Sequence, residues 1–191
     1  PLMAMPCQPG YSERMRHTLL LALTALFAGC THYIEPIGGN TAKLRLVSLP
    51  GNTTEIRALE NPRCIGKSGT LVAKLGLHVK DGANQGRSLQ MPLHDPLPRA
   101  ATSELNVRAD QPIAMLFIAA SGRGPKVADW SYPACNKAFT LIAKEGELYE
   151  AQFEQLQNDC QLNVFRISRE KDGSYIRRLA GNAKPLKARC N

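Results

Sequence analysis

The chain has 191 residues, with 24 Lys and Arg against 16 Asp and Glu and a formal net charge of +8 at pH 7. This is the length of one domain and is enough to bury a hydrophobic core. After residue 30, no apolar run approaches the ~20 residues that a transmembrane helix needs, which excludes a helical membrane-spanning body. We therefore expect that part of the chain to be soluble.

The N-terminal region carries the features of an export signal. Residues 18–27 are apolar and follow Arg16, but they supply only about half of the ~20 residues that a membrane-spanning helix requires. A basic start, a short apolar segment and small residues before a cut are the parts of a secretory signal. We predict a signal peptide at residues 15–29; the alternative is a buried core helix. Residues 1–14 are interpreted as an artefact of an upstream start.

The end of the signal, LFAGC, resembles the lipobox of bacterial lipoproteins, in which the cysteine is acylated and becomes the mature N-terminus. Ala28 and Gly29 are small enough to enter a protease inside the membrane, and Cys30 supplies the nucleophile that receives the lipid. The resemblance implies a stable anchor once two or more acyl chains are attached. Thr31 stands where an Asp favours inner-membrane retention in such lipoproteins, so we expect outer-membrane attachment with the domain facing the periplasm.

Strands follow, predicted from the alternation of apolar and polar residues. In AKLRLVS this places Leu44 and Leu46 on one face, with Lys43 and Arg45 on the other. ELNVRA, YEAQF and QLNVFRIS alternate in the same way. IAMLFIAA is apolar throughout, as is typical of a central strand covered on both faces. Turn signals separate these runs, including KDGS near the C-terminus.

These short strands predict an all-β fold, an antiparallel β-sandwich of immunoglobulin- or transthyretin-like style, with two disulfides. The sandwich is assigned to residues 41–191, and residues 30–40 to a tether between the lipid and the domain. The lipobox, TAKLRLVS and the later pattern C…F…GELYE…C together resemble small all-β lipoproteins of Gram-negative bacteria. Many of these have no assigned activity, and the resemblance brings no catalytic motif.

The predicted mature chain has four cysteines besides Cys30: Cys64, Cys135, Cys160 and Cys190. An even number in an exported chain predicts two disulfides, with three connectivities to choose from. Residues 139–143 and 148–156 are predicted to form a hairpin that, extended outward, brings Cys135 close to Cys160. Cys64 then pairs with Cys190. The absence of a CxxC pair from the sequence makes a zinc site the weaker alternative.

No catalytic motif is recognisable in the sequence. A nucleophile elbow, a phosphate-binding loop, a dinucleotide fingerprint and a zinc-protease motif are all missing. The carboxylates of KEGELYEAQFEQLQND, which include Glu145 and Glu147, are expected to be solvated at a turn and on solvent-facing strand positions. We therefore predict a non-enzymatic protein that has no metal and no cofactor other than the lipid on Cys30.

The C-terminal region is predominantly basic. Its candidate binding residues are Arg166, Arg169, Arg177, Arg178, Lys184, Lys187 and Arg189. One interpretation is solvation alone; the other is a patch for an anionic lipid, a cell-wall polymer or an envelope protein. Arg177 and Arg178 are expected to be exposed, so that reversing their charge leaves folding intact. Nucleic acid is not an expected partner, because the compartment is wrong and stacking aromatics are few.

Three functional hypotheses follow. The leading one is an anchored envelope-binding or structural module that uses the basic C-terminal region. In the second, SGRGPK resembles loops that periplasmic lysozyme inhibitors insert into the lysozyme cleft, and Ser121, Gly122 and Arg123 would carry the inhibition of a cell-wall hydrolase. Like-charge repulsion opposes this second hypothesis, because most such lysozymes are basic. The third is an accessory lipoprotein of an envelope-spanning secretion machine.

Overall fold

The fold is taken from a computed structural model of the chain. It describes residues 33–49, 53–66, 69–76, 79, 82–92, 97–98, 101–119, 122–123, 131–132, 135–156 and 159–190. The chain divides into residues 1–30 and residues 31–191, and all of the described residues belong to the second unit. The predictions for the signal peptide, the lipobox and Cys30 lie outside the described residues.

The described residues form an all-β fold. The strands are β1 (Thr41–Leu49), β2 (Thr54–Ala58), β3 (Thr70–Leu75), β4 (Thr102–Arg108), β5 (Pro112–Ala119), β6 (Gly122–Arg123), β7 (Ser131–Tyr132), β8 (Cys135–Ile142), β9 (Leu148–Gln155), β10 (Cys160–Arg169), β11 (Tyr175–Leu179) and β12 (Ala183–Pro185). Sheet A has the order β12-β8-β5-β2-β3, sheet B has the order β11-β10-β9-β1-β4, and β6 pairs with β7. The β-sandwich prediction is confirmed.

The core lies between the two sheets and is built from the apolar faces that the alternation predicted. Leu44 and Leu46 of β1 are fully buried, as are Tyr149, Ala151 and Phe153 of β9. Across the interface, the rings of Phe153 and Phe117 stack with their centroids 5.5 Å apart. β5, the uniformly apolar strand, lies in the middle of sheet A as predicted.

One strand pair departs from the antiparallel prediction. β1 runs parallel to β9, with Lys43 opposite Leu148 and Leu49 opposite Glu154, whereas β1 pairs with β4 in the antiparallel sense. β1 and β9 are far apart in sequence, so the local turn signals could not fix their relative direction. In this register, Arg45 lies opposite Glu104 of β4 on one side and opposite Glu150 of β9 on the other.

Both disulfides have the predicted pairing, Cys64–Cys190 and Cys135–Cys160. The predicted hairpin of residues 139–143 with residues 148–156 is nevertheless wrong. β8 belongs to sheet A and β9 to sheet B, so the segment between them crosses from one sheet to the other. The hairpin is formed by β9 and β10, in which Cys160 lies opposite Gln155. β8 and β10 begin at the same end of the sandwich, and the disulfide joins the two sheets there.

The predicted tether contacts the domain in its described part. The backbone N–H of Tyr33 donates to the carbonyl of Leu71 in edge strand β3, and Glu35 accepts hydrogen bonds from the backbone and side chain of Asn106 in edge strand β4. Burial, with a further contribution from Glu35, raises the pKa of Tyr33 to about 12, so its hydroxyl stays protonated. The segment therefore bonds to the edge strands of both sheets, β3 and β4, which residues 83–87 also contact through backbone hydrogen bonds.

No membrane-spanning helix occurs in the described part of the chain.

Candidate binding site

The most buried charged side chain of the described residues is Arg45, on the outer face of sheet B, which is 1% exposed. Its Nε and Nη2 donate to Glu104 Oε1 at 2.9 and 2.8 Å, and its Nη1 donates to Glu150 Oε2 at 3.0 Å. The carbonyls of Met91 and Pro92 accept from Nη2 and Nη1 at 2.7 and 3.0 Å. All five N–H donors of the guanidinium therefore have a partner.

The two carboxylates of this cluster are also satisfied. The second oxygen of Glu104 accepts from the backbone N–H groups of Leu89 and Met91. The second oxygen of Glu150 accepts from Arg177 Nη1 at 2.7 Å. Two arginines and two glutamates leave no net charge. Because every charge is paired and hydrogen-bonded, the cluster meets the conditions under which buried ions are tolerated.

This buried charge cluster has a structural role. It fastens the segment at residues 82–92 across the outer face of sheet B, since Glu104 and Arg45 bind backbone groups of that segment. The alternation in AKLRLVS places Arg45 opposite the core face, which is correct, but it does not indicate that this face is covered. The expectation that the carboxylates of the β9 region are solvated is wrong for Glu150, which is 2% exposed.

Three of the predicted C-terminal binding residues are held by glutamates. Arg166 pairs with Glu147 at 3.3 Å and Arg178 pairs with Glu170 at 3.2 Å. Arg177 binds Glu150 and lies over the ring of Phe165, with 5.4 Å from the guanidinium carbon to the centroid. The Arg178 side chain is 73% exposed, but that of Arg177 is only 25% exposed. The expectation that Arg177 is exposed is therefore wrong, and reversing its charge would remove a partner of the buried Glu150.

The remaining candidates lie elsewhere. Arg169 lies at the exposed end of β10 and pairs with no carboxylate among the described residues. Lys184, Lys187 and Arg189 are exposed residues of β12 and the following tail. Among the described residues, no carboxylate lies within ion-pair distance of these three. The predicted basic region is thus divided between the two sheets. Within the described part of the chain, Arg169 is its unpaired member on sheet B, and the other unpaired members lie on the sheet A side.

Lys187 and Arg189 border a groove of about 1020 Å³ on the outer face of sheet A, which we term the tail groove. Its floor includes Leu116 of β5 and Ala138 of β8, both nearly buried. Arg57 and Glu55, two residues apart on β2, form an ion pair, so this carboxylate of the lining is already neutralised. The groove therefore combines an apolar floor with two unpaired cationic side chains.

The local fold explains why the tail lies here. The backbone N–H of Leu186 donates to the carbonyl of Ala138, which continues the pairing of β12 with β8. Further along, Ile65 forms a parallel bridge with Arg189, and the disulfide Cys64–Cys190 has a Cα–Cα distance of 5.1 Å. One wall of the groove is consequently tied down by covalent and backbone bonds.

Lys137 of β8 also borders the tail groove. It pairs with Asp159 at 3.0 Å; the Lys137 side chain is 38% exposed and that of Asp159 is 68% exposed. The backbone N–H of Cys160, followed by the ammonium of Lys137, holds the pKa of Asp159 below its usual range. An exposed pair of this kind contributes little to stability, so Lys137 remains accessible to a competing anion.

The loop of the lysozyme-inhibitor hypothesis is described only in part. Gly122 and Arg123 form β6 and pair with Tyr132 and Ser131 of β7. Ser121 and residues 124–126 lie outside the described residues. The prediction for Ser121, Gly122 and Arg123 therefore stays a prediction. Within the described ranges, no three His, Cys, Asp or Glu side chains come together in a metal-binding arrangement.

No protein-family model, curated protein or solved structure matches the chain.

Proposed function

We propose that the protein is a non-enzymatic lipoprotein, anchored in the outer membrane through Cys30, that binds an extended anionic polymer of the cell wall in the tail groove. The observation that carries the proposal is the division of the basic residues. On sheet B, three of the four arginines of the C-terminal region are engaged by glutamates, and the fourth, Arg169, lies outside the groove. Lys187 and Arg189 border the groove and face no carboxylate among the described residues.

The shape of the site favours a polymer strand over a membrane surface. A flat layer of lipid headgroups contacts protruding charges, whereas a groove can enclose an extended chain on two sides. Its apolar floor, which includes Leu116 and Ile65, offers contact area to the uncharged parts of such a chain. The unpaired cations can bind its carboxylates or phosphates. Each cation contributes about 1 kcal/mol of binding free energy near an anionic surface.

The first test neutralises the two unpaired cations. In the double variant Lys187→Gln and Arg189→Gln, binding to purified sacculi, measured by co-sedimentation at low salt, is expected to weaken about 30-fold, on the basis of about 1 kcal/mol for each charge. The matched control is Arg169→Gln with Arg178→Gln, which removes the same charge outside the groove and should retain native binding.

Two results would overturn the groove proposal. One is equal loss in both double variants, since net charge alone would then explain the binding. The other is stronger binding of the native protein to anionic vesicles than to sacculi, since the partner would then be a lipid surface. Native binding should also decline with salt, because the screening length falls from ~10 Å at 0.1 M to ~3 Å at 1 M ionic strength.

The anchor is tested separately. With Cys30→Ser, the protein is expected to leave the membrane fraction or to remain uncleaved, because the thiol that receives the lipid is missing. Mass spectrometry and fractionation of cells that express the native and variant chains measure both outcomes. Unchanged fractionation together with an unchanged mass would contradict the lipobox prediction and leave the groove proposal untouched.

The hydrolase-inhibitor and secretion-accessory hypotheses stay predictions. Inhibition through the loop would be lost in Arg123→Ala while binding to sacculi is retained. An accessory role would give a stable complex on purification from native envelopes.

A further inference from the structure

A second cavity lies where the two sheets separate on the β11–β12 side of the sandwich. It has a volume of about 510 Å³, and we term it the edge cleft. β8 and β12 of sheet A form one wall, and β10 and the end of β11 form the other. This volume falls within the ~300–1,000 Å³ that is typical of small-molecule sites.

The inner lining of the edge cleft is apolar. Phe139 and Val164 are core residues whose surfaces border it, and Leu162 is half-buried beside them. At the margin, Leu179 is 71% exposed, which is unusual for a large apolar side chain in the described part of this domain. An apolar cavity that continues into an exposed leucine offers a surface along which an alkyl chain can pack.

The charged lining is of a single sign. Among the described residues, Lys137, Lys184 and Lys187 border the edge cleft and no Asp or Glu does, although Asp159 pairs with Lys137 beside it. The tail groove, in contrast, includes Glu55. The edge cleft is also bordered by Gln161 and Asn163, which carry no charge. A cavity that combines an apolar interior with ammonium groups is complementary to a molecule with a hydrocarbon part and an anionic part.

We propose that the edge cleft binds a single-chain amphiphile with an anionic head, a carboxylate or a phosphate. The alkyl chain lies against Phe139, Leu162 and Val164, and the head is held by the ammonium of Lys184 and its neighbours. This inference does not rest on the proposed function. Leu179 and Lys184 line the edge cleft and not the tail groove, so variants at these two positions separate the sites.

The test uses the full domain and dodecanoate as the probe, with displacement of a fluorescent fatty acid as the measurement. Leu179→Asp and Lys184→Glu are each expected to weaken dodecanoate binding at least tenfold. The first variant places a carboxylate against the alkyl chain, and the second repels the anionic head. Both residues are exposed, so folding should persist. The matched controls are Ile142→Asp, at an apolar residue that is 50% exposed, and Lys171→Glu at the β10–β11 turn, both outside the cleft.

Two further probes test which anionic head group the cleft prefers and whether the head must be anionic. Dodecyl phosphate compares a phosphate head with the carboxylate, and the tighter of the two identifies the preferred head. Dodecyltrimethylammonium carries the same chain with a positive head and is expected not to bind. Equal binding of the cationic probe, equal effects of the control variants, or no binding of either anionic probe would overturn the proposal.

Discussion

Replacing Arg45 with Met is expected to lower the free energy of unfolding by about 3–5 kcal/mol, because it leaves the buried carboxylates of Glu104 and Glu150 without their central partner. Five hydrogen bonds from the guanidinium are lost at once. The backbone carbonyls of Met91 and Pro92 also lose their donor, which loosens the segment that covers sheet B. Urea unfolding, followed by circular dichroism, measures the change as a shift of the midpoint.

Arg108→Met provides the matched control for Arg45. It makes the same chemical change on β4, at an exposed residue, and should alter the free energy of unfolding by about 0.5 kcal/mol or less. Equal midpoints for the native chain and the Arg45 variant would contradict the structural role of the buried charge cluster. A large effect in both variants would point to a general loss of positive charge instead.

Removing the Cys64–Cys190 disulfide by Ala substitution is expected to cost about 5 kcal/mol in the chain-entropy account, since it closes a loop with a sequence separation of 126. The same change should release the tail that carries Lys187 and Arg189, so binding to sacculi should fall as well. Unfolding of the oxidised native chain and of the double variant, each assayed in parallel for binding, measures both effects.

The Cys135–Cys160 disulfide is the control for this prediction. Its sequence separation is 25, so its removal should cost less, about 3.5 kcal/mol, on the same account. It lies at the end of the sandwich where β8 and β10 begin and does not hold the tail, so a folded variant should bind sacculi as the native chain does. Equal loss of binding in both variants would contradict the role assigned to the tail.

Local patterns predicted the strands well, because each strand has one face in the core. The alternation in YEAQF identified the buried residues of β9, including Tyr149 and Phe153, and the uniform run identified β5 as a central strand. Alternation indicates that the two faces of a strand differ in polarity, but it does not indicate whether the polar face is open to water. The cover over Arg45 comes from residues 82–92, which are remote in sequence.

The disulfide prediction was correct for the wrong physical reason. A short turn after β8 is compatible with a hairpin within one sheet or with a crossing from one sheet to the other. The same turn residues suit both connections. In either arrangement, β8 and β10 start at the same end, so Cys135 and Cys160 come together. The spacing therefore constrained the pairing of the cysteines without fixing the topology of the strands.

Counting charges along the C-terminal region could not show which of them are paired. The glutamates that engage Arg166 and Arg177 come from residues 147 and 150, well before the basic region begins. Strand pairing of β9, β10 and β11 brings them together, and this depends on the whole sheet. Only the three-dimensional arrangement separates Lys187 and Arg189 from the others as candidates for binding.

Hydrogen exchange of the native domain, with and without soluble anionic fragments of sacculi, tests the central claim most directly. Exchange of the backbone N–H groups of Ile65, Leu186 and Cys190 reports on the tail groove, because all three residues line it. Their N–H groups donate to the carbonyls of Ala188, Ala138 and Ile65, respectively. We predict slower exchange at these positions and no change in β11, where Arg177 and Arg178 lie. Protection confined to β11, or no protection anywhere, would contradict the assignment of the anionic partner to the tail groove.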